Sequence, residues 1–183
     1  EDRPGKVAVV GSGPAGLTVA WDLRLKGWQV TLFEALPVLG GMLRVGIPDY
    51  RLPPDILDRE IDYLLRHGIE SKTGMRLGED FSLADLSDQG YQAVFLAIGA
   101  HTAMNLAIPG EETAEGVLDA IAFLRDVNLG DRQCPGRRVV VVGGGNVAID
   151  AARTAKRLGA ETVTVVYRRS EQEMPAYGEE IQG

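Results

Sequence analysis

The sequence has few of the groups that carry out chemistry unaided. It contains one cysteine, Cys134, and two histidines, His67 and His101. A single thiol closes no internal disulfide, and an iron–sulfur cluster asks for about four ligands. A disulfide reductase of the thioredoxin-reductase type needs a C-x-x-C pair, so this class is excluded. The histidines lie far apart in the chain, which leaves no zinc-type cluster and no metal site. Positive charge is also in deficit, with 19 Lys and Arg against 26 Asp and Glu and a net charge of -7. Non-specific nucleic-acid binding needs the opposite balance. No apolar run reaches the roughly 18 residues of a membrane span, and the opening "EDRPGK" has no signal-peptide pattern. The scarcity of thiols points to a reducing compartment, the cytoplasm. Cys134, next to Pro135, reads as an unreactive loop thiol, and His67, next to Gly68, as a cation at a helix end. No side-chain nucleophile or acid/base pair stands out, so no catalytic residue is assigned.

Glycine and small apolar residues are plentiful: 23 glycines, and 45% hydrophobic residues overall. That content allows a packed core, and the length suits one large domain or two small ones. "KVAVV" at 6–10 reads as a buried strand. A helix follows over 14–26, with Ala15, Val19 and Leu23 on its buried face and Gly27 as its stop. "WQVTLFE" at 28–34 completes a β-α-β unit of about 30 residues. Residues 35–53 form a long structured loop rich in glycine and proline. "PDILDREIDYLLRHG" is a helix carrying Leu57, Ile61, Leu64 and Leu65 on one face. "IESKTG" is a weak strand, and "SLADL" a short helix opened by a Ser82–Asp85 capping box. "YQAVFLAIGA" at 91–100 reads as a strongly buried strand. After an irregular crossover at 101–116, a helix is expected over 117–127. "RRVVVVG" is the next strand. Val147, Ala151, Ala155 and Leu158 mark the helix after it, and "AETVTVVYRR" closes a second β-α-β unit. The fold class is therefore α/β, with two Rossmann-like β-α-β nucleotide-binding units.

Each unit opens on a glycine turn. Gly11-Ser12-Gly13-Pro14-Ala15-Gly16 fits G-x-G-x-x-G: a tight turn, a close backbone approach to a pyrophosphate, and close helix–strand packing. The following helix start offers free N–H groups and the positive dipole end to phosphates. Glu34 ends the next strand, where a carboxylate can accept hydrogen bonds from ribose hydroxyls. Gly143-Gly144-Gly145-Asn146-Val147-Ala148 fits the G-x-G-x-x-A variant. There the next strand ends not in a carboxylate but in Tyr167-Arg168-Arg169. Guanidinium groups attract a 2′-phosphate, so this turn is expected to prefer NADPH to NADH. Glu34 suits the ribose of a bound FAD. Two dinucleotides in one chain make a hydride donor and a hydride acceptor.

The segments "GSGPAGL", "GGMLRVGIPDYRLP", "AIGA", "VVGGGNVAIDAARTAKRLGA", "YRR" and "EMPA" occur in this order. Together they resemble the NADPH- and FAD-dependent β (small) subunit of glutamate synthase and its relatives, over about residues 5–181. The relatives include the flavin–NADPH part of dihydropyrimidine dehydrogenase. The resemblance implies an FAD domain interrupted by an NADPH domain, here 1–105 for the N-terminal part of the first and 106–183 for the second. It implies that Gly11, Gly13, Pro14, Ala15, Gly16 and Glu34 bind the ADP half of FAD. Gly40, Gly41, Met42 and the loop to Arg51 would lie along flavin and pyrophosphate, with Arg44 and Arg51 as available cations. Gly99 would lie close to that cofactor. Gly143, Gly144, Gly145, Asn146, Val147, Arg168 and Arg169 would hold NADPH. Met174-Pro175-Ala176 either borders that site or is a turn before a helix. Electrons would pass from NADPH through FAD to an iron–sulfur acceptor or a partner such as the glutamate synthase large subunit. A different class, a nucleotide-binding module without turnover, stays open. Members of the family continue well beyond the point matched by Gly183, and many carry an N-terminal iron–sulfur domain. The chain is therefore read as a truncated fragment whose uncovered apolar surface favours self-association.

Overall fold

The computed structural model describes residues 5–102 and 104–182. These fall into two compact units, one of residues 1–44 and 49–100, the other of residues 45–48 and 101–183.

The first unit contains β1 (Lys6–Val10), α1 (Pro14–Leu25), β2 (Gln29–Phe33), α2 (Met42–Val45), α3 (Pro54–Leu65), β3 (Ile69–Lys72), α4 (Leu83–Asp88) and β4 (Tyr91–Leu96). Its strands form one parallel sheet in the order β3-β2-β1-β4. Parallel strands are covered on both faces, which is why β1 is apolar at every position from Val7 to Val10. On one face Val9, Leu32 and Ile69 pack against Leu17 and Ala20 of α1 and Leu57 and Ile61 of α3. On the other, Ala8, Val10 and Phe33 meet Phe81, Leu86 and Tyr91. At α3 the expected apolar face is present, with Leu57 and Ile61 buried and Leu64 and Leu65 packed beside them. His67 sits at its end, with Nδ1 2.7 Å from the Tyr63 carbonyl oxygen.

Two expectations need correction. Helix α1 turns Gly16, Leu17 and Ala20 inward and leaves Ala15 exposed, although Val19 and Leu23 do pack against the core. The cause is a backbone contact: a Cβ on Gly16 would lie 1.9 Å from the Gly11 carbonyl oxygen, so this face of the helix must meet the turn. Strand β4 ends at Leu96 rather than running buried to residue 100. Only its first residue, Tyr91, is buried, while Leu96 is 51% exposed and Ile98 60%. It is the outer strand of the sheet, and α4 covers only its beginning through Leu86. The capping box of α4 is formed: Asp85 N donates to Ser82 Oγ, and Ser82 N and Oγ donate to Asp85 Oδ2. The Ser82 hydroxyl, then the Ser82 amide, hold the Asp85 carboxyl below its usual 3.8.

The second unit contains α5 (Ala120–Asn128), β5 (Arg138–Val142), α6 (Asn146–Arg157), β6 (Thr162–Val166), a 3₁₀ turn (Glu171–Glu173) and α7 (Gly178–Gln182). Strands β5 and β6 pair in parallel, Val142 opposite Val166. Val141 packs with Ala148, Ala151 and Ala152 of α6, joined by Phe123 of α5. Helix α5 starts at Ala120, not 117, because Asp119 Oδ1 accepts from Ala122 N and caps it there. The residues expected to mark α6 do so: Ala151 and Ala155 are buried, Val147 is 45% exposed and Leu158 is its C-cap. Asn128 Nδ2 donates to the carbonyls of Val45 and Ile47, which ties the short 45–48 segment to α5. Val140, Val142 and Val166 are exposed, so β5 and β6 present uncovered apolar side chains among the described residues. No helix among them is long and apolar enough to cross a membrane.

Candidate functional site

The first glycine turn joins β1 to α1. Gly11 N donates to the Phe33 carbonyl, which fixes the turn to the end of β2. Gly11 has φ of +104°, and a Cβ there would stand 2.2 Å from the Ala97 carbonyl oxygen. Conformation and space both demand glycine. Gly13, the N-cap of α1, has an ordinary φ of -67°. Nothing among the described residues lies within 4 Å of the place its Cβ would take. Its missing side chain therefore faces open space at a helix N-terminus, the geometry that suits a phosphate. Pro14 begins the helix, where its lack of an N–H costs no intrahelical bond. Gly40 and Gly41 come back onto this turn: a Cβ on Gly41 would stand 2.8 Å from Gly13 Cα. Met42 starts α2 just beyond. Arg44 forms an ion pair with Asp58, so it is not a free cation. Arg51 is half-buried and has a partner.

Glu34 is placed as the pattern requires, one residue past β2, but it is 6% exposed and already engaged. Its Oε2 accepts from Ser12 N and Ser12 Oγ, and its Oε1 from Leu36 N. Ser12 Oγ also accepts from Gly40 N at 3.0 Å. Gly99 is exposed beyond β4, and the residue of that segment lying against Gly11 is Ala97.

The second turn repeats the same closing bond, Gly143 N to the Val166 carbonyl. Its last position is Ala148, whose Cβ lies 3.1 Å from where a Cβ on Gly143 would sit, a tight approach that keeps position 143 glycine. Gly144 lies under the Tyr167 ring, 2.6 Å from where a Cβ would sit, and Gly145 has only Pro175 near, at 4.0 Å. Arg168 and Arg169 are exposed just past β6, and neither forms an ion pair among the described residues. The Met174-Pro175-Ala176 segment does border this turn: Ala176 N donates to the Gly144 carbonyl and Tyr177 N to Asn146 Oδ1. Arg153 of α6 pairs with Glu180 of α7 behind it.

Leu36, Ala97 and Tyr177 were not among the expected site residues, and Ser12 was expected only as part of the turn from Gly11 to Gly16, not as a partner of Glu34. A serine at a variable position, or a main-chain N–H, has no sequence signature. Separately, an apolar groove of about 480 Å³ runs between α1 and α3, lined by Leu17, Trp21, Leu43, Leu52, Ile56 and Leu64. Of the expected site residues it includes Pro14, and of the expected loop to Arg51 it includes Leu43. No group of three or more metal-ligating side chains occurs among the described residues.

The fit to the nucleotide turns can be set beside known proteins. The chain is 49% identical over 180 residues to the NADP(+)-dependent formate dehydrogenase subunit beta of Moorella thermoacetica, covering 96% of this chain and 25% of that protein. It is 37% identical over 187 residues to the glutamate synthase [NADPH] small chain of Escherichia coli K12, covering 96% of this chain and 39% of that one. The chain thus spans between a quarter and two-fifths of these relatives. Among solved structures, FprA from Mycobacterium tuberculosis in complex with NADPH superposes with a TM-score of 0.82 at 25% identity, covering 98% of this chain and 47% of FprA. Residues 5–183 match the pyridine nucleotide-disulphide oxidoreductase family, and with these relatives and this fold the chain belongs to that family.

Proposed function

We propose that this chain is the dinucleotide-binding part of a flavin oxidoreductase, passing electrons from NADPH through FAD to an iron–sulfur acceptor or partner subunit of the glutamate synthase type. FAD is assigned to the first unit, residues 1–105, and NADPH to the second, residues 106–183. One contrast carries the assignment. The two turns share the same main-chain bond from the first glycine to the end of the next strand, yet one strand is followed by Glu34 and the other by Tyr167, Arg168 and Arg169. A carboxylate accepts from ribose hydroxyls and repels a 2′-phosphate; free guanidinium groups attract it.

The chain's own part is binding and orientation. Gly13 and Gly145 leave open space at the two helix starts for a pyrophosphate. Gly41 brings the following loop against Gly13, and Ala176 and Tyr177 wall the second turn. The hydride chemistry itself belongs to nicotinamide and flavin when bound. The single cysteine supports an acceptor other than a disulfide within this chain and a cytoplasmic setting. The relatives' names, a subunit beta and a small chain, support a partner subunit. The exposed valines of β5 and β6 support self-association where no partner covers them.

The test is an absorbance spectrum of the purified protein before and after anaerobic NADPH. A flavin spectrum that bleaches is expected. A protein that cannot be loaded with FAD refutes the assignment, and one that holds FAD unreduced by NADPH reduces it to nucleotide binding without turnover.

A further inference from the structure

Glu34 and Ser12 form a buried knot that limits what the first turn can offer a ligand. Ser12 is 0% exposed and Glu34 6%. A carboxylate has about four lone-pair sites, two on each oxygen. Oε2 accepts two bonds, both from Ser12, one from its amide at 2.9 Å and one from its hydroxyl. Oε1 accepts one, from Leu36 N at 2.9 Å. Among the described residues a single acceptor site is left, and it is on Oε1. The same Ser12 hydroxyl accepts from Gly40 N, which holds the Gly40–Gly41 backbone where Gly41 lies against Gly13.

We infer that Ser12 is a positioning residue for the dinucleotide: it fixes the Glu34 carboxylate so that Glu34 holds the adenosine ribose through one hydroxyl only, by Oε1. The inference rests on the assignment of FAD to this turn. Its consequence is an asymmetry between the two ribose hydroxyls that an unfixed carboxylate, free to take one on each oxygen, lacks. It also makes Ser12 a link between three segments, the β1–α1 turn, the end of β2 and the Gly40 loop. Removing its hydroxyl frees a lone pair on Oε2, so the asymmetry disappears along with much of the affinity.

The test uses the full-length protein stripped of flavin and titrated with FAD and with FAD analogues lacking the adenosine 2′- or 3′-hydroxyl. Binding is read from flavin fluorescence, which is independent of turnover. In the unaltered protein one analogue is expected to bind about tenfold more weakly than FAD and the other within about twofold, since one charged hydrogen bond is at stake in the first only. In Ser12→Ala, FAD itself is expected to bind about tenfold more weakly, and the two analogues to bind alike. Equal losses for both analogues in the unaltered protein overturn the inference, and that comparison needs no variant to fold. Unchanged FAD affinity and unchanged discrimination in Ser12→Ala overturn it as well. Failure of FAD itself to bind refutes the cofactor assignment, a result distinct from either.

Discussion

Gly13 and Gly16 are three residues apart in the same turn, and the structure assigns them opposite kinds of importance. A methyl at Gly16 would stand 1.9 Å from the Gly11 carbonyl oxygen, about 1 Å inside any tolerable approach. Neither partner is a flexible side-chain end, so helix or turn must move. Overpacking of this kind costs about 1–3 kcal/mol, partly offset by the roughly 1 kcal/mol that alanine gains over glycine inside a helix. Gly16→Ala is thus expected to destabilise the protein by up to about 2 kcal/mol without any ligand present. At Gly13 the same methyl meets nothing within 4 Å and φ is already -67°. Its only fold cost is the poorer N-cap, under about 1 kcal/mol. The methyl would instead occupy the space left for the pyrophosphate, so Gly13→Ala is expected to weaken FAD binding by tenfold or more, about 1.4 kcal/mol. Urea unfolding of the flavin-free variants reads the first quantity and flavin fluorescence titration the second. If Gly13→Ala binds FAD as the unaltered protein does, the pyrophosphate does not pass over Gly13. If Gly16→Ala is more stable than the parent, the contact does not set the orientation of α1.

The other predictions address the second turn and the scaffold. Replacing Arg168 and Arg169 by alanine is expected to weaken NADPH by at least about 10- to 100-fold, with NADH affected less than about threefold, because even one charged hydrogen bond to a phosphate is worth about 1.5–3 kcal/mol; equal losses for both nucleotides in a binding titration would remove the 2′-phosphate from this site. Leu32, 0% exposed at the centre of the sheet, should cost about 2–5 kcal/mol when changed to alanine, seen as a lower urea midpoint. Asp85 has a lowered carboxyl pKa in the folded state, so its contribution to stability is present above 3.8 and is lost as pH falls through the folded value. In Ser82→Ala the Asp85 titration followed by NMR should move back up toward 3.8; an unmoved titration would mean that the Ser82 hydroxyl is not the main cause.

Much of the scaffold can be read from residue order because its signals are local. The valine runs of β1 and β5, each stopped by glycine, the periodic leucines of α3 and the Ser82–Asp85 box carry their own explanation. What escaped depends on distant neighbours. The inward face of α1 is chosen by the Gly16–Gly11 contact, not by its apolar spacing. Strand β4 has the composition of a central strand, but its place at the edge of the sheet exposes its end. At the site, Gly13 and Glu34 follow from the motif and its spacing. Ser12 does not, because its role depends on the Gly40 loop returning to it. The Ala176–Gly144 bond is equally hidden, since any residue other than proline supplies that N–H.

The residues that distinguish the two turns are not equally free to change. Glu34 is woven into the buried hydrogen bonds of Ser12 and Leu36, so a substitution there alters the turn before it alters any ligand. Arg168 and Arg169 stand exposed beyond β6 and support nothing else among the described residues. On the proposed assignment, nucleotide preference at the second turn can therefore drift in evolution, or be re-engineered, at almost no cost to the fold, whereas the first turn is constrained by its own architecture.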